Sequence, residues 1–340
     1  LSKGLYSPWC VWLESLPTTF TTALYWDSFE RSQVQRIAPK FLEQHLKQWQ
    51  TFSTLVKELS RDSEDLISKD FRKWLRSQED ISSASKWAFS IVMTRSWRAP
   101  DGKEATIVPI GDMCNHDSLE ANVRPCLREK GGSLQLILTK DTDCSEERPS
   151  GIFLSYGLSH HPARFLVNFG FCDVSAPLIE VHIDTYLAQK GLPPLSDLKF
   201  WPAFDPSHLV VSADGGVVAE DVWVVFLLQL LRKRDPAQIP RLQKAYDSDD
   251  DEELETLLEE LFQDWELPIV VEMKDHFQML LDTQYAPISF SGRDFASHPH
   301  LQMIANYNSF MRNVFQGAIR YLDLVAKKTS QTLAKDAIKN

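Results

Sequence analysis

Between Trp9 and about Trp97 apolar residues recur every three or four positions. Phe41, Leu42, His45, Leu46 and Trp49, then Phe52, Leu55, Val56 and Leu59, form a stripe that predicts amphipathic helices burying one face. Residues 86–94 continue in the same manner. From Ala105 to Asp173 the period shortens. The runs at 106–110, 134–138 and 151–156 are brief, apolar or alternating, and separated by Asp, Asn, Gly and Pro, which predicts short strands and turns in a compact core with no room for long helices. Beyond Pro177 the helical texture returns at 217–231, 253–262, 270–281 and 303–325, and 327–340 reads as a polar tail.

Length and composition narrow the class. At 340 residues, 43% hydrophobic and 24% charged, the chain is globular and long enough for two domains. Its longest apolar run, 222–228, is far shorter than the roughly 20 residues needed to cross a bilayer, so no membrane span is expected. With 36 Lys and Arg against 47 Asp and Glu, and no basic stripe interleaved with aromatics, neither nucleic acid nor an anionic membrane is the expected partner. Cys10, Cys114, Cys126, Cys144 and Cys172 are odd in number, scattered, and without zinc-ligand spacing. They suit an intracellular, reducing compartment and give no reason to expect a metal. The acidic run 247–253 reads as a solvated loop leading into a helix whose N-terminus tolerates acids.

The candidate chemistry lies in short segments in fixed order. Trp87-Ala88-Phe89 is followed by Arg95-Ser96-Trp97, and then by Pro109-Ile110-Gly111-Asp112-Met113-Cys114-Asn115-His116. About 40 residues later comes Phe153-Leu154-Ser155-Tyr156-Gly157, leading to Ala163-Arg164-Phe165-Leu166-Val167-Asn168-Phe169-Gly170-Phe171. Singly these are ordinary turn and core residues: Asn115 and His116 close turns as readily as they bind ligands, and Tyr156 reads equally as core or rim. A hydrolase reading from Ser155, Ser159, His160 and His161 lacks the Gly-x-Ser-x-Gly elbow. Cys114 reads as a small buried filler rather than a nucleophile.

As an ordered set the segments resemble the SET-domain protein methyltransferases of the Rubisco large-subunit methyltransferase-like family. The resemblance extends to the opening Ser7-Pro8-Trp9 through Trp12-Leu13-Glu14-Ser15-Leu16-Pro17, with Trp12 in place of the family's tyrosine. It implies an α+β chain: a β-rich SET core at 1–175 with a helical insertion at about 27–85, an all-α substrate-binding domain at 176–326, and the tail at 327–340. The family's Gly-x-Gly segment would precede this opening, where the chain has only Leu1-Ser2-Lys3-Gly4, so the SET core is read as lacking its N-terminal strands. The acidic-Gly turn before the Tyr-Gly strand reads Ser145-Glu146-Glu147-Arg148-Pro149-Ser150-Gly151 and departs from the family pattern.

The implied activity is transfer of a methyl group from S-adenosyl-L-methionine to a protein lysine by a monomer, without a metal, in the plastid, cytosol or nucleus. The cofactor carries the activated electrophile, so the protein must supply position, a desolvated channel and an uncharged nucleophile. The resemblance assigns Tyr156 to catalysis, Arg95, Asn115 and His116 to the cofactor, and Asp112, Trp97 and Phe169 to the substrate side. Phe169 stands where the family has a second tyrosine. Two alternatives accompany it: a catalytically silent relative serving as a protein-binding module, and a protein-histidine methyltransferase.

Overall fold

The computed structural model describes residues 8–61, 81–98, 105–127, 134–140, 151–157, 162–181, 191, 209–248 and 251–339. The sequence readings at Leu1–Ser7, at 62–80 of the insertion, at 145–150 and at Ser159, His160 and His161 lie outside them. The chain divides into two compact units, one of Leu1–Ser175 with Ser289–Tyr307 and one of Ala176–Ile288 with Asn308–Asn340.

In the first unit, α1 (Cys10–Ser15) is followed by α2 (Ser28–Ile37), α3 (Pro39–Arg61) and α4 (Ile81–Arg95). Helix α2 begins with a reciprocal capping box. The Asp27 carboxylate accepts the Glu30 amide at 2.9 Å, and the Glu30 carboxylate accepts the Asp27 amide at 3.0 Å. Pro39 opens α3, where a missing N–H costs nothing. The stripe on α3 packs as its spacing predicts at Phe41, Leu42 and His45, all buried, whereas Leu55 of the same stripe is exposed. Phe89 of α4 gathers His45, Trp49 and Phe52 at ring separations of 5.8, 5.6 and 5.5 Å. The Trp87 indole donates to the Pro17 carbonyl at 2.9 Å, tying α4 to the segment after α1.

The strands follow α4. β1 (Ser96–Arg98) and β2 (Ala105–Ile107) pair antiparallel, with Trp97 opposite Thr106. β2 is shorter than the predicted strand because the chain turns at Pro109-Ile110, where Ile110 takes φ 74°, a left-handed conformation that costs a branched residue about 1–2 kcal/mol. A single 3₁₀ turn (Gly111–Met113) leads into β3 (Asn115–His116), then β4 (Val123–Leu127), β5 (Leu134–Leu138) and β6 (Phe153–Leu154). The sheet order is β3-β6-β4-β5. β6, last in sequence, lies between β3 and β4 and runs parallel to both. This insertion brings the residues after β6 onto β3. The following segment forms a helical turn (Pro162–Arg164) and a π-helical turn (Phe165–Phe169) ended by Gly170.

Residues 289–307 belong to the first unit through polar contacts far apart in sequence. His298 Nδ1 meets the Asp27 carboxylate, and the His300 amide donates to Glu30 at 2.9 Å while its ring lies 3.1 Å from the same carboxylate. Glu30 is only 1% exposed, so these donors and the capping box neutralise a buried charge.

Among its described residues, the second unit is helical apart from a two-stranded ribbon of β7 (Leu178–Glu180) and β8 (Val210–Ser212). Its helices include α5 (Glu220–Arg234), α6 (Gln238–Asp247), α7 (Asp251–Asp282) and the part of α8 (Leu301–Lys339) from Asn308 onward. α5 buries most residues from Val222 to Leu231. It carries Glu220 and Asp221 in its first turn and Arg232, Lys233 and Arg234 in its last, the arrangement its dipole favours. The polar tail is helical to Lys339. Among the described residues no helix is long and apolar enough to cross a membrane.

Candidate active site

The parallel register pairs Asn115 with Phe153 and His116 with Leu154, so Tyr156, two residues past β6, stands over β3. Its hydroxyl donates to the Cys114 carbonyl at 2.9 Å, and its backbone N–H donates to His116 Nδ1 at 3.1 Å. Its ring lies 5.0 Å from the His116 ring and 5.1 Å from that of Phe169. Burial pushes the Tyr156 phenol above its ordinary value; Arg95 partly opposes this, and Cys114 and Asp112 reinforce it. The phenol therefore stays neutral at physiological pH.

Asp112 lies in the 3₁₀ turn with its carboxylate fully enclosed. Arg95, the last residue of α4, donates from Nη1 to the Asp112 carbonyl at 3.0 Å and to its carboxylate at 3.1 Å. The Trp12 indole N–H is shared between the two carboxylate oxygens at 3.3 and 3.2 Å. A buried carboxylate needs such partners, and it has two. The Arg95 side chain is 22% exposed, and both contacts use the same nitrogen of a five-donor group. Trp97 packs on this turn: a Cβ at Gly111 would sit 3.2 Å from the edge of its indole.

Asn115 and His116 face opposite ways, as neighbours on a strand must. Asn115 is exposed, whereas the His116 side chain is 1% exposed and its ring is enclosed by Tyr156, Phe165 and Phe171. Its Nε2 lies 2.9 Å from the Asp173 carboxylate. Burial raises the Asp173 carboxyl, but hydrogen bonds from His116, Ser118 and Ser175 outweigh it and hold the group at about 2. Burial and the Asp112 charge raise the Cys114 thiol, so it is no thiolate nucleophile.

The floor of the site ends at Gly170, with φ 76°. A Cβ there would meet the Thr21 hydroxyl, carbonyl carbon and carbonyl oxygen at 2.3, 2.4 and 2.5 Å, so the Gly of Phe169-Gly170-Phe171 is required both by conformation and by close approach. Thr21 Oγ1 donates to the Gly170 carbonyl at 3.0 Å.

The structure thus gathers Arg95, Trp97, Asp112, Asn115, His116, Tyr156 and Phe169 around one strand crossing. Trp12 and Asp173 join them, although sequence reasoning gave neither a role. No local pattern marks Asp173 in the sequence, because its partner His116 lies 57 positions away. Among the described residues, the cluster whose atoms are close enough for a metal is Asp27, Glu30 and His298. Its carboxylates already accept backbone amides at the positive end of α2, where a cation is disfavoured.

A solved structure of the SET domain of LSMT bound to MeLysine and AdoHcy superposes on 96% of this chain and 73% of its own, with a TM-score of 0.50 and 14% sequence identity. The chain has the LSMT-type SET fold. That SET fold is α+β, as its sequence implied, with short strands in small sheets and more of its residues in helices. No protein-family model matches the chain. Among curated proteins, the chloroplastic [fructose-bisphosphate aldolase]-lysine N-methyltransferase of Arabidopsis thaliana is 20% identical over 172 residues, or 49% of this chain. The match spans about a third (34%) of that relative's length.

Proposed function

We propose that this SET protein transfers a methyl group from S-adenosylmethionine to a lysine of a protein substrate. The observation that carries the reading is the neutral Tyr156 hydroxyl, held on the Cys114 carbonyl by the β3-β6 crossing and within electrostatic reach of Arg95 and Asp112, in a fold whose solved counterpart is bound to AdoHcy and MeLysine. The donor set suits the cofactor. Its amino-acid end carries a carboxylate and an ammonium, for which the Arg95 guanidinium and the exposed Asn115 amide oxygen are the matching groups. When bound, it supplies an activated methyl group. The chain's own residues do the rest. Arg95 and Asn115 orient the ligand. The ring of His116 is committed to the Tyr156 amide, so it supports Tyr156 while Asn115 presents its side chain outward. Tyr156 holds the incoming neutral amine in line without becoming charged, and Asp112, fixed by Arg95 and Trp12, sets the wall of the channel. Trp97 and Phe169 exclude water from it.

The protein acts as a monomer on a protein surface presented to its helical second unit. The aldolase methylated by the curated relative is the first substrate to test. Full-length protein incubated with methyl-labelled S-adenosylmethionine should label a lysine in plastid aldolase, the Rubisco large subunit or another protein of the same compartment. A second reading, a silent relative that binds proteins through its helical unit, is favoured by Phe169, which places a hydroxyl-free ring 5.1 Å from Tyr156. Absence of label in every protein, with AdoHcy binding also absent, would select that reading. Label on histidine would instead make it a histidine methyltransferase.

A further inference from the structure

The His116 ring can serve Tyr156 in only one of its two neutral forms. A backbone N–H can only donate, so the 3.1 Å contact from the Tyr156 amide requires a lone pair on His116 Nδ1. The ring proton must then sit on Nε2. Nε2 lies 2.9 Å from Asp173 Oδ2, an acceptor, and 3.1 Å from the Ser118 hydroxyl. The other tautomer would put a hydrogen on Nδ1 facing another N–H, and its 3.2 Å contact to the Leu154 carbonyl would be bought at the loss of the Tyr156 contact.

From this geometry we infer that Asp173 is a positioning residue: by holding the proton of His116 on Nε2, it fixes the backbone of Tyr156 and thereby the direction of the Tyr156 hydroxyl. Asp173 is 5% exposed and is itself over-determined. The Ser118 and Ser175 hydroxyls each donate to it at 2.6 Å, and the Ser175 amide donates at 3.0 Å. With these donors the carboxylate stays ionised and acceptor-only, whereas an amide at the same place could offer an N–H to Nε2 and reverse the tautomer. Asp173 reaches no reacting atom; it acts through the ring. The inference rests on the methyltransferase reading for its catalytic consequence, but not for the tautomer.

The test separates the two. In full-length protein with ¹⁵N-labelled histidine, long-range ¹H–¹⁵N correlation assigned by a His116→Gln control should show His116 neutral, with Nε2 protonated and Nδ1 bare. A protonated Nδ1, alone or in an imidazolium, overturns the proposal, and this measurement needs neither activity nor a mutant at Asp173. The Asp173→Asn variant, checked for a native circular dichroism spectrum, should move His116 toward the Nδ1–H tautomer. It should lower kcat by roughly ten- to a hundredfold while leaving KM for S-adenosylmethionine within about twofold. An unchanged tautomer and an unchanged kcat would overturn it. If S-adenosylmethionine binds neither protein while the wild-type tautomer is as predicted, it is the methyltransferase reading that fails and not the role of Asp173.

Discussion

Replacing Gly170 by Ala tests how the floor of the site is built. The residue holds φ 76°, which costs an alanine about 1–2 kcal/mol relative to glycine. The added Cβ would lie 2.4 Å from the Thr21 carbonyl carbon and 2.5 Å from its oxygen. These are backbone atoms and cannot rotate aside, so the strand of chain before α2 must shift, at about 1–3 kcal/mol for an overpacked core. The shift would stretch the 3.0 Å bond from Thr21 Oγ1 to the Gly170 carbonyl, worth about 1 kcal/mol. The expected loss is about 3–6 kcal/mol. Gly157 supplies the control, because it has a similar φ of 72° with nothing within 4 Å of its would-be Cβ. Gly157→Ala should therefore cost only the conformational 1–2 kcal/mol. Guanidinium unfolding followed by tryptophan fluorescence would read both losses, and the difference between the variants isolates the clash. Equal midpoints for the two, or a loss below about 1 kcal/mol for Gly170→Ala, would refute the close approach between Thr21 and Gly170.

Tyr156→Phe should lower stability by about 0.5–1.5 kcal/mol through loss of the Cys114 bond, but lower kcat by roughly a hundredfold or more with AdoHcy affinity unchanged in calorimetry; a kcat that falls no further than stability explains would remove Tyr156 from catalysis. Phe169→Tyr adds a hydroxyl to the ring 5.1 Å from Tyr156 and should shift products toward fewer methyl groups per lysine in mass spectrometry, while an identical product distribution would show that this ring does not face the amine. In the second unit, burial of His276 lowers its pKa from 6.5 to about 3. The unfolded chain then binds the proton first, so stability present above pH 6.5 drains away as pH falls toward 3, by roughly 5 kcal/mol in all. His276→Phe, set beside Phe226 and Phe277, should flatten that slope in acid titrations monitored by circular dichroism, and an unaltered slope would place the acid sensitivity elsewhere.

What could be read in the sequence was what local periodicity and motif order encode. The buried positions Phe41, Leu42 and His45, the strand β5 and the buried run of α5 all follow from spacing alone. The motif order brought Arg95, Asp112, Asn115, His116 and Tyr156 to one place. What spacing cannot express is pairing between distant segments. The insertion of β6 between β3 and β4 depends on hydrogen bonds across some 30 to 40 residues, and two-residue strands leave no alternation to detect. The attachment of 289–307 to the first unit rests on His298 and His300 meeting Asp27 and Glu30 some 270 positions away. The ribbon β7-β8 was hidden inside a region with helical texture, because its strands are three residues each. Asp173 escaped notice because its partners His116 and Ser118 lie more than 50 positions away, and an acid that acts on a distant side chain leaves no motif of its own.

Calorimetric titration of S-adenosylmethionine into the full-length protein tests the central claim most directly. Saturable binding at one site per chain is expected, weakened at least tenfold by Arg95→Ala and by Asn115→Ala, and unaffected by Tyr156→Phe. A folded protein that gives no binding heat, or one whose binding ignores Arg95 and Asn115, would contradict it.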